Sequence, residues 1–242
     1  MMRRFICALA FLTRAPLPST LAFDAADVGR SMMCFPLVGA LLGCIAVAER
    51  HLFAGVLPCA VTAFIILGSI ALATGALHLD GLADMADGFG GGRTGEDVLR
   101  IMRDHVIGAY GACALLFVVG LQVVALAALL PHDCDYVLVV APMVSRWCGV
   151  PIATIVPYAR ANNAAMRHVG AREVLGATLT VAIVVLTLLG ARGLLFWGAV
   201  IVMTAWQARW CIKKIGGVTG DTTGANIVVC ETLVYVLAVA LA

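Results

Sequence analysis

The chain has 242 residues, of which 62% are apolar and only 12% are charged, and its mean hydropathy is +1.03. A typical soluble domain carries about 25% charged and about 45–50% apolar residues. The composition therefore excludes a water-soluble globule, and it equally excludes a disordered chain. The formal net charge of +2 is too small to predict a nucleic-acid partner, so the predicted environment is the lipid bilayer.

The residues before the first long apolar run form a segment of their own, 1–30. It opens with Met-Met-Arg-Arg and a short apolar run, Phe5 to Leu12, which Arg14 and Pro16 interrupt. This start resembles a signal peptide, but no small-residue cleavage site follows it. We expect a cytoplasmic or interfacial segment.

Apolar runs that could cross a bilayer occur about seven times after this segment. A spanning helix needs about 20 predominantly apolar residues. The last three candidates below are the weakest, since they are short or closely spaced and could form a hairpin or a partial span. The sequence predicts one all-α, polytopic membrane bundle over residues 1–242, with spans at 31–48, 57–79, 109–130, 136–157, 174–190, 193–212 and 226–242.

Lysine and arginine are distributed unevenly between the segments that join these spans. Segment 1–30 and the loops 80–108, 158–173 and 213–225 hold 12 of them, whereas the alternate loops hold only Arg50 and Arg192. Cytoplasmic loops of membrane proteins carry the excess of positive charge. The asymmetry predicts a cytoplasmic N-terminus, with the three longer loops on the same side of the membrane.

Six of the 14 acidic residues lie between Asp80 and Asp104. If helix 57–79 continues into this stretch, Asp80, Asp84 and Asp87 stand at i, i+4 and i+7 on one helical face. Three like charges would repel each other there, and a bound cation would remove that penalty. Carboxylate oxygens select hard cations such as Mg²⁺. We favour a metal site over the plainer alternative, a solvated acidic loop.

Two further clusters belong to the same predicted membrane face. Residues 103–111 contain Arg103, Asp104 and His105, where Asp104 could add a metal ligand and Arg103 could bind an anion. The alternative there is an ordinary loop that leads into a helix. Segment 213–225 is rich in glycine and carries two lysines and several hydroxyls. Such a segment can approach and neutralise a phosphate, although it lacks the P-loop pattern and could be a plain turn.

Several ionisable residues fall inside predicted spans or at their ends, among them Arg146, Glu231 and His78. Arg146 lies in the middle of span 136–157, where an unpaired charge costs at least about 2.5–3.5 kcal/mol. We expect it to face the bundle interior and to pair with an acid or a substrate phosphate. Glu231 is similar, and a structural ion pair is an equal alternative for each. His78 could act as a base or could simply be packed.

Carboxylates, cations and a glycine-rich backbone at one membrane face favour phosphoryl-type chemistry. At these residues the sequence resembles the cobalamin synthases, the adenosylcobinamide-GDP ribazoletransferases. The resemblance extends over nearly the whole chain in five ordered blocks: Phe11 to Pro18, Phe35 to Gly39, His78 to Gly88, Met102 to Gly111, and Gly216 to Ala225.

The resemblance implies a Mg²⁺-dependent, multi-pass enzyme of the cell inner membrane, with its active site facing the cytoplasm. Members join adenosylcobinamide-GDP to α-ribazole or its 5′-phosphate, giving adenosylcobalamin or its 5′-phosphate and releasing GMP. The ribazole 3′-hydroxyl attacks the phosphorus nearest cobinamide. The resemblance is also compatible with a homo-oligomer, or with a complex with other cobamide-assembly enzymes.

Residue roles follow from placing the family's motifs on this chain. Metal binding is expected at Asp80, Asp84, Asp87 and Asp104, and His78 or His105 is the candidate general base. The remaining candidates would bind or line the phosphates: Arg14, Arg103, Arg146, Lys213, Lys214, Thr219, Asp221 and Thr222.

Two other classes of membrane protein fit parts of this pattern of acidic residues and glycines. A CDP-alcohol phosphotransferase also packs aspartates and glycines on membrane helices, but its Asp-Gly-x-x-Ala-Arg opening is not matched, since Ala83 is followed by Asp84. An ion or metal transporter would place its acids at mid-membrane depth, whereas these lie at a predicted helix end and in loops.

Overall fold

The computed structural model describes residues 1–16, 21–160, 165 and 168–242, and over these the chain is helical with no β-strand. The predicted all-α class is therefore confirmed. Short 3₁₀ turns precede the third and eleventh helices. The helices are α1 Met2–Leu12, α2 Ala25–Ser31, α3 Phe35–Phe53, α4 Cys59–Thr74, α5 Leu77–Gly91, α6 Gly95–Ile101, α7 Ala109–Leu129, α8 Asp135–Trp147, α9 Gly149–Ile155, α10 Ala171–Leu189, α11 Gly193–Ile215 and α12 Gly220–Leu241.

By length and composition, five helical stretches in the described part of the chain could cross a membrane, or six if the bent pair α4–α5 counts as one broken span. One of the five, Ala171–Ile215, has 45 residues and contains both α10 and α11. Its backbone leaves the helical region at Gly190, where φ is 57° and ψ is −142°. The count of seven spans and the orientation of the N-terminus therefore stay predictions.

The sequence predicts that helix 57–79 continues unbroken into the acidic stretch, and this prediction is wrong in one respect. Helix α4 ends at Thr74, and α5 begins at Leu77 after a bend of 90°. Both linking residues adopt the left-handed conformation, Gly75 at φ 63° and Ala76 at φ 57°. Composition does not reveal this break because the apolar run continues across it.

Close packing between helices builds the bundle core. Helix α3 lies along α8, and the two glycines of its Gly-x-x-x-G sequence, Gly39 and Gly43, face the backbone of α8. A Cβ atom at Gly39 would stand 2.2 Å from the Pro142 carbonyl oxygen, and one at Gly43 would stand 2.4 Å from that of Leu138. Small residues allow this backbone approach between membrane helices.

Helix α5 packs along α12 and against the start of α7, so the acidic helix lies over the ends of two long apolar helices. With 15 residues and three aspartates, α5 is not one of the five possible spans. Aspartates are costly in hydrocarbon. We therefore treat α5 as lying at the membrane surface.

Candidate active site

Helix α5 carries Asp80, Asp84 and Asp87 with the predicted helical spacing, and their surroundings differ. Asp87 accepts hydrogen bonds from the backbone amides of Gly108, at 2.7 Å, and of Gly111, at 2.8 Å. The positive end of the α7 dipole also stabilises a carboxylate at this position. Asp87 therefore fixes α5 to the start of α7, and its role as a metal ligand stays a prediction.

Asp84 lies in a concentration of negative charge. Burial, together with the nearby Asp80 and Asp221 carboxylates, raises the pKa of its carboxyl from 3.8 to about 6, while Arg160 acts in the opposite direction. Both burial and neighbouring negative charge disfavour the ionised form of a carboxyl. The group formed by Asp80, Asp84 and Asp221 thus provides the charge that a cation would neutralise.

The start of α12 brings Asp221 to this group. Gly81 of α5 packs directly on the Asp221 backbone, since a Cβ at Gly81 would stand 2.6 Å from its carbonyl oxygen. Segment 213–225, predicted as a loop, is mostly helical, and only 216–219 lies between α11 and α12. Close backbone approach at Gly81 is therefore what places an α12 carboxylate beside the α5 acids.

Two hydroxyls predicted to line a phosphate pocket instead cap α12. Thr219 and Thr222 are fully buried, and each side chain accepts a hydrogen bond from the other residue's backbone amide, at 3.2 and 2.8 Å. Such a capping box satisfies amides that a helix start leaves unpaired. These hydroxyls hold the backbone of Gly220 and Asp221 in position, and any contact with substrate stays a prediction.

Arg160 and Tyr158 complete this end of the site. The Arg160 guanidinium forms an ion pair with Asp221 at 2.8 Å, and Tyr158 Oη accepts a hydrogen bond from the Gly220 amide at 3.2 Å. Arg160 Nε is buried and has no hydrogen-bond partner among the described residues. In the sequence, Arg160 is one of the cations of loop 158–173. The signal that could have marked it is that this loop is predicted on the same membrane face as the glycine-rich segment.

A cavity of about 260 Å³ opens between these groups and the N-terminal helices. Asp80, Asp221 and Tyr158 line one side of it, together with Gly149, Gly220 and Gly224. Apolar side chains from α1 to α3 line the other side, among them Phe11 and Phe35. Segment 1–30 therefore contributes apolar residues to the site, whereas the sequence had marked only Arg14 of this segment as a site candidate.

The other predicted cations and the residues near Asp104 lie around this cavity without lining it. Arg103, Asp104 and His105 are exposed between α6 and α7. Lys213 is exposed, and Lys214 Nζ lies 3.4 Å from the Gly92 carbonyl oxygen. The Arg14 amide donates to the Ala73 carbonyl at 2.7 Å, and its side chain covers Gly75 at the α4–α5 bend.

Arg146 faces the bundle interior, as its sequence position predicts. It is 2% exposed and pairs with Glu231 of α12 at 2.8 Å. Tyr235 donates to the other Glu231 oxygen, at 3.2 Å. An acid therefore provides the partner of Arg146, and phosphate binding there stays a prediction. His78 is buried beside Gly224 and lines the active-site cavity.

Within the described ranges, no three His, Cys, Asp or Glu side chains could enclose a metal ion by themselves. Mg²⁺ seldom occupies such all-protein cages: it is commonly held by one or two carboxylates, substrate phosphates and water. Carboxylates on two helices, an arginine and a glycine-lined wall form a site suited to a phosphorylated substrate and a hard cation. The fold and this site define an integral-membrane protein of the phosphoryl-transfer class.

Comparison with known proteins agrees with this class. Residues 4–239 match the family described as cobalamin-5-phosphate synthase, and the chain belongs to that family. A curated relative from Ralstonia pickettii (strain 12J), named adenosylcobinamide-GDP ribazoletransferase, is 36% identical over 94% of this chain and 91% of its own length. Relatives of that name from Leptothrix cholodnii (36%) and Shewanella sp. W3-18-1 (35%) cover 96% of this chain and 93% and 92% of theirs.

The family expected from the sequence motifs is thus confirmed, and with it an enzyme of the transferase class in cobalamin biosynthesis. No solved structure matches the chain.

Proposed function

We propose that this protein joins adenosylcobinamide-GDP to α-ribazole or its 5′-phosphate, giving adenosylcobalamin or its 5′-phosphate and GMP. The printed name of its relatives supports this activity. At residue level the proposal rests on one observation. Three carboxylates and a guanidinium lie together where α5 packs against the start of α12, namely Asp80, Asp84, Asp221 and Arg160. A diphosphate substrate requires this combination of cation-binding carboxylates and a guanidinium.

Mg²⁺ fits the donor set at this position. Burial and then the repulsion from Asp80 and Asp221 raise the pKa of Asp84, and a divalent cation would stabilise its ionised form against both effects. Carboxylate oxygens are preferred protein ligands of Mg²⁺. In our proposal Asp80 and Asp84 would hold the ion, with Asp87 and Asp104 as further candidates. When bound, Mg²⁺ would neutralise the diphosphate and stabilise the charge that develops on the leaving phosphate.

The side chains supply orientation and charge for the transfer. The ribazole 3′-hydroxyl loses its proton as its oxygen forms a bond to the phosphorus nearest cobinamide. The bond from that phosphorus to the bridging oxygen breaks, and GMP leaves with that oxygen, on which the proton can end. Arg160 Nε has no hydrogen-bond partner in the described part of the chain and can donate to a phosphate oxygen. Gly149, Gly220 and Gly224 keep one cavity wall free of side chains, so a phosphate can approach the backbone.

The site is proposed to face the cytoplasm from the inner membrane. The 12 cations of segment 1–30 and the three longer loops support this orientation. The elements that form the site come from these segments and their borders, namely α1, α2, α5, Tyr158, Arg160 and the start of α12.

The activity is tested with protein purified in detergent and incubated with adenosylcobinamide-GDP, α-ribazole and Mg²⁺, followed by chromatography. We expect GMP and cobamide in equal amounts, with neither product in EDTA. Folded protein that binds Mg²⁺ and yields no cobamide would contradict the proposal. CDP-alcohols serve as the comparison substrates, and we expect no CMP from them.

A further inference from the structure

The active-site cavity has two chemically different sides. The lining residues from α5 and α12 include the carboxylates Asp80 and Asp221, whereas the lining residues from α1 to α3 are all apolar and include Phe11, Leu12, Met32 and Phe35. A site that bound only a diphosphate and a cation would have no use for an apolar wall. Burial of an apolar group stabilises a complex in proportion to the area removed from water. The ligand of this cavity should therefore have an aromatic or aliphatic part next to a polar one.

The chemistry of the cavity lining decides which part of the substrates this is. The corrin macrocycle carries polar amide side chains around its edge, for which the apolar residues Phe11, Leu12, Met32 and Phe35 offer no hydrogen-bond partners. The aromatic base of α-ribazole is flat, bicyclic and largely apolar, and it carries a ribose whose hydroxyl is the nucleophile of the proposed reaction. Guanine is similar in size but has several polar edge groups, for which the apolar wall offers no partners.

The two phenylalanines on this wall have different exposures. The rings of Phe11 and Phe35 stack at a centroid distance of 5.7 Å and an interplanar angle of 15°. Phe35 is 5% exposed, but Phe11 is 49% exposed, so much of its surface is free to contact a ligand. Aromatic rings prefer such offset stacks. Phe11 is thus the ring that a bound base would touch.

We propose that the wall formed by Phe11, Leu12, Met32 and Phe35 is the subsite for the aromatic base of α-ribazole, which directs the ribose toward Asp80 and Asp221. This inference rests on the proposed function and adds to it the residues that select the base. It assigns the end of helix α1, where the first block of the family resemblance begins at Phe11, to substrate recognition.

The test compares Phe11→Ala with Phe11→Tyr, which keeps the ring, and with Phe117→Ala, which removes a ring that is 72% exposed on α7. We expect Phe11→Ala to raise the KM for α-ribazole about five- to tenfold, consistent with the loss of one aromatic contact. The KM for adenosylcobinamide-GDP should stay unchanged. Phe117→Ala should behave as the parent chain, and Phe11→Tyr should raise the KM for α-ribazole less than Phe11→Ala does, because it keeps the ring.

Equilibrium binding of α-ribazole, followed by the fluorescence of its base, provides a second readout that needs no turnover. Phe11→Ala should weaken this binding by the same factor. An unchanged affinity and KM for α-ribazole in Phe11→Ala, with an active parent chain, would overturn the subsite and leave the proposed function intact. A rise confined to the KM for adenosylcobinamide-GDP would also overturn it, by assigning the wall to guanine. A parent chain without turnover would instead contradict the function.

Discussion

The three aspartates of α5 have the same chemistry and regular spacing, yet their surroundings give them different tasks. Asp87 is held by two backbone amides of α7, Asp80 is exposed at the cavity, and Asp84 is partly buried among other carboxylates. Their helical spacing predicted one face but not this division. Only the positions of α7 and α12 relative to α5 decide which carboxylate already has partners.

The Asp84 carboxyl makes the stability of the metal-free protein dependent on pH. Its pKa is raised from 3.8 to about 6, so the folded state binds a proton that the unfolded state releases between these values. Stability should therefore fall as pH rises through this window. We expect Asp84→Asn to raise the midpoint temperature of thermal unfolding at pH 7.5 in EDTA. The increase should be smaller at pH 5, where more of the Asp84 carboxyl is already protonated.

The same variant should lose most Mg²⁺-dependent turnover and gain less thermal stability from added Mg²⁺ than the parent chain does. The matched control is Asp97→Asn, which removes an exposed carboxylate from α6 outside the cavity. If Asp84→Asn retained full activity and the full Mg²⁺ response, Asp84 would not be a metal ligand.

Asp87 should contribute chiefly to structure. Removing its carboxylate in Asp87→Ala leaves the Gly108 and Gly111 amides without an acceptor at the start of α7, which costs about 0.5–2 kcal/mol for a lost helix cap. Asp87→Asn keeps one acceptor oxygen and should therefore lose less stability than Asp87→Ala. Thermal unfolding in detergent measures the stability of both variants. Equal stability of Asp87→Ala and the parent chain would show that the two hydrogen bonds contribute nothing net.

At the scale of elements, the main lesson is the bend between α4 and α5. Residues 57–79 form one uninterrupted apolar run, and hydropathy alone reads them as one span. The backbone instead turns by 90° at Gly75 and Ala76, which lets α5 lie across α12. Arg14 covers the bend, and its amide bonds to Ala73. The bend is thus set by tertiary contacts with segment 1–30.

The contact between α3 and α8 offers a direct test of close helix packing. A side chain at Gly43 would collide with the Leu138 carbonyl, so Gly43→Leu should force the helices apart at a cost of about 1–3 kcal/mol. Gly120→Leu is the matched control, since a Cβ at Gly120 meets nothing within 4 Å. Thermal unfolding in one detergent compares the two. Equal midpoints would contradict the packing of α3 on α8.

At the scale of the whole molecule, the exposed apolar surface indicates where lipid lies. In the most apolar 18-residue stretch of α7 only 22% of the residues are buried within the protein, and in that of Ala171–Ile215 only 17% are. Most of the leucine, valine and phenylalanine side chains of these helices therefore face outward. A contiguous apolar surface of this extent marks a membrane contact. The Arg146–Glu231 ion pair is instead buried in the interior of the bundle.

The predicted topology has a direct test at the C-terminus. Seven spans from a cytoplasmic N-terminus place residue 242 in the periplasm, whereas six spans return it to the cytoplasm. We expect alkaline phosphatase fused after Ala242 to be active and green fluorescent protein fused there to be dark. A fluorescent fusion without phosphatase activity would reduce the count to six. A fusion after Lys214, on the predicted cytoplasmic side, serves as the internal control.

The sequence by itself determined the lipid environment, the all-helical class, the family and the helical face shared by Asp80, Asp84 and Asp87. These properties depend on composition, on local spacing or on motifs, all of which can be read along the chain. Tertiary structure alone decided that Arg160 joins the acids and that Asp221, expected only to line the phosphates, adds its charge to that of Asp80 and Asp84. It also decided that Thr219 and Thr222 cap a helix and that Phe11 lines the cavity. Each of these depends on contacts between residues far apart in the chain, which no local pattern specifies.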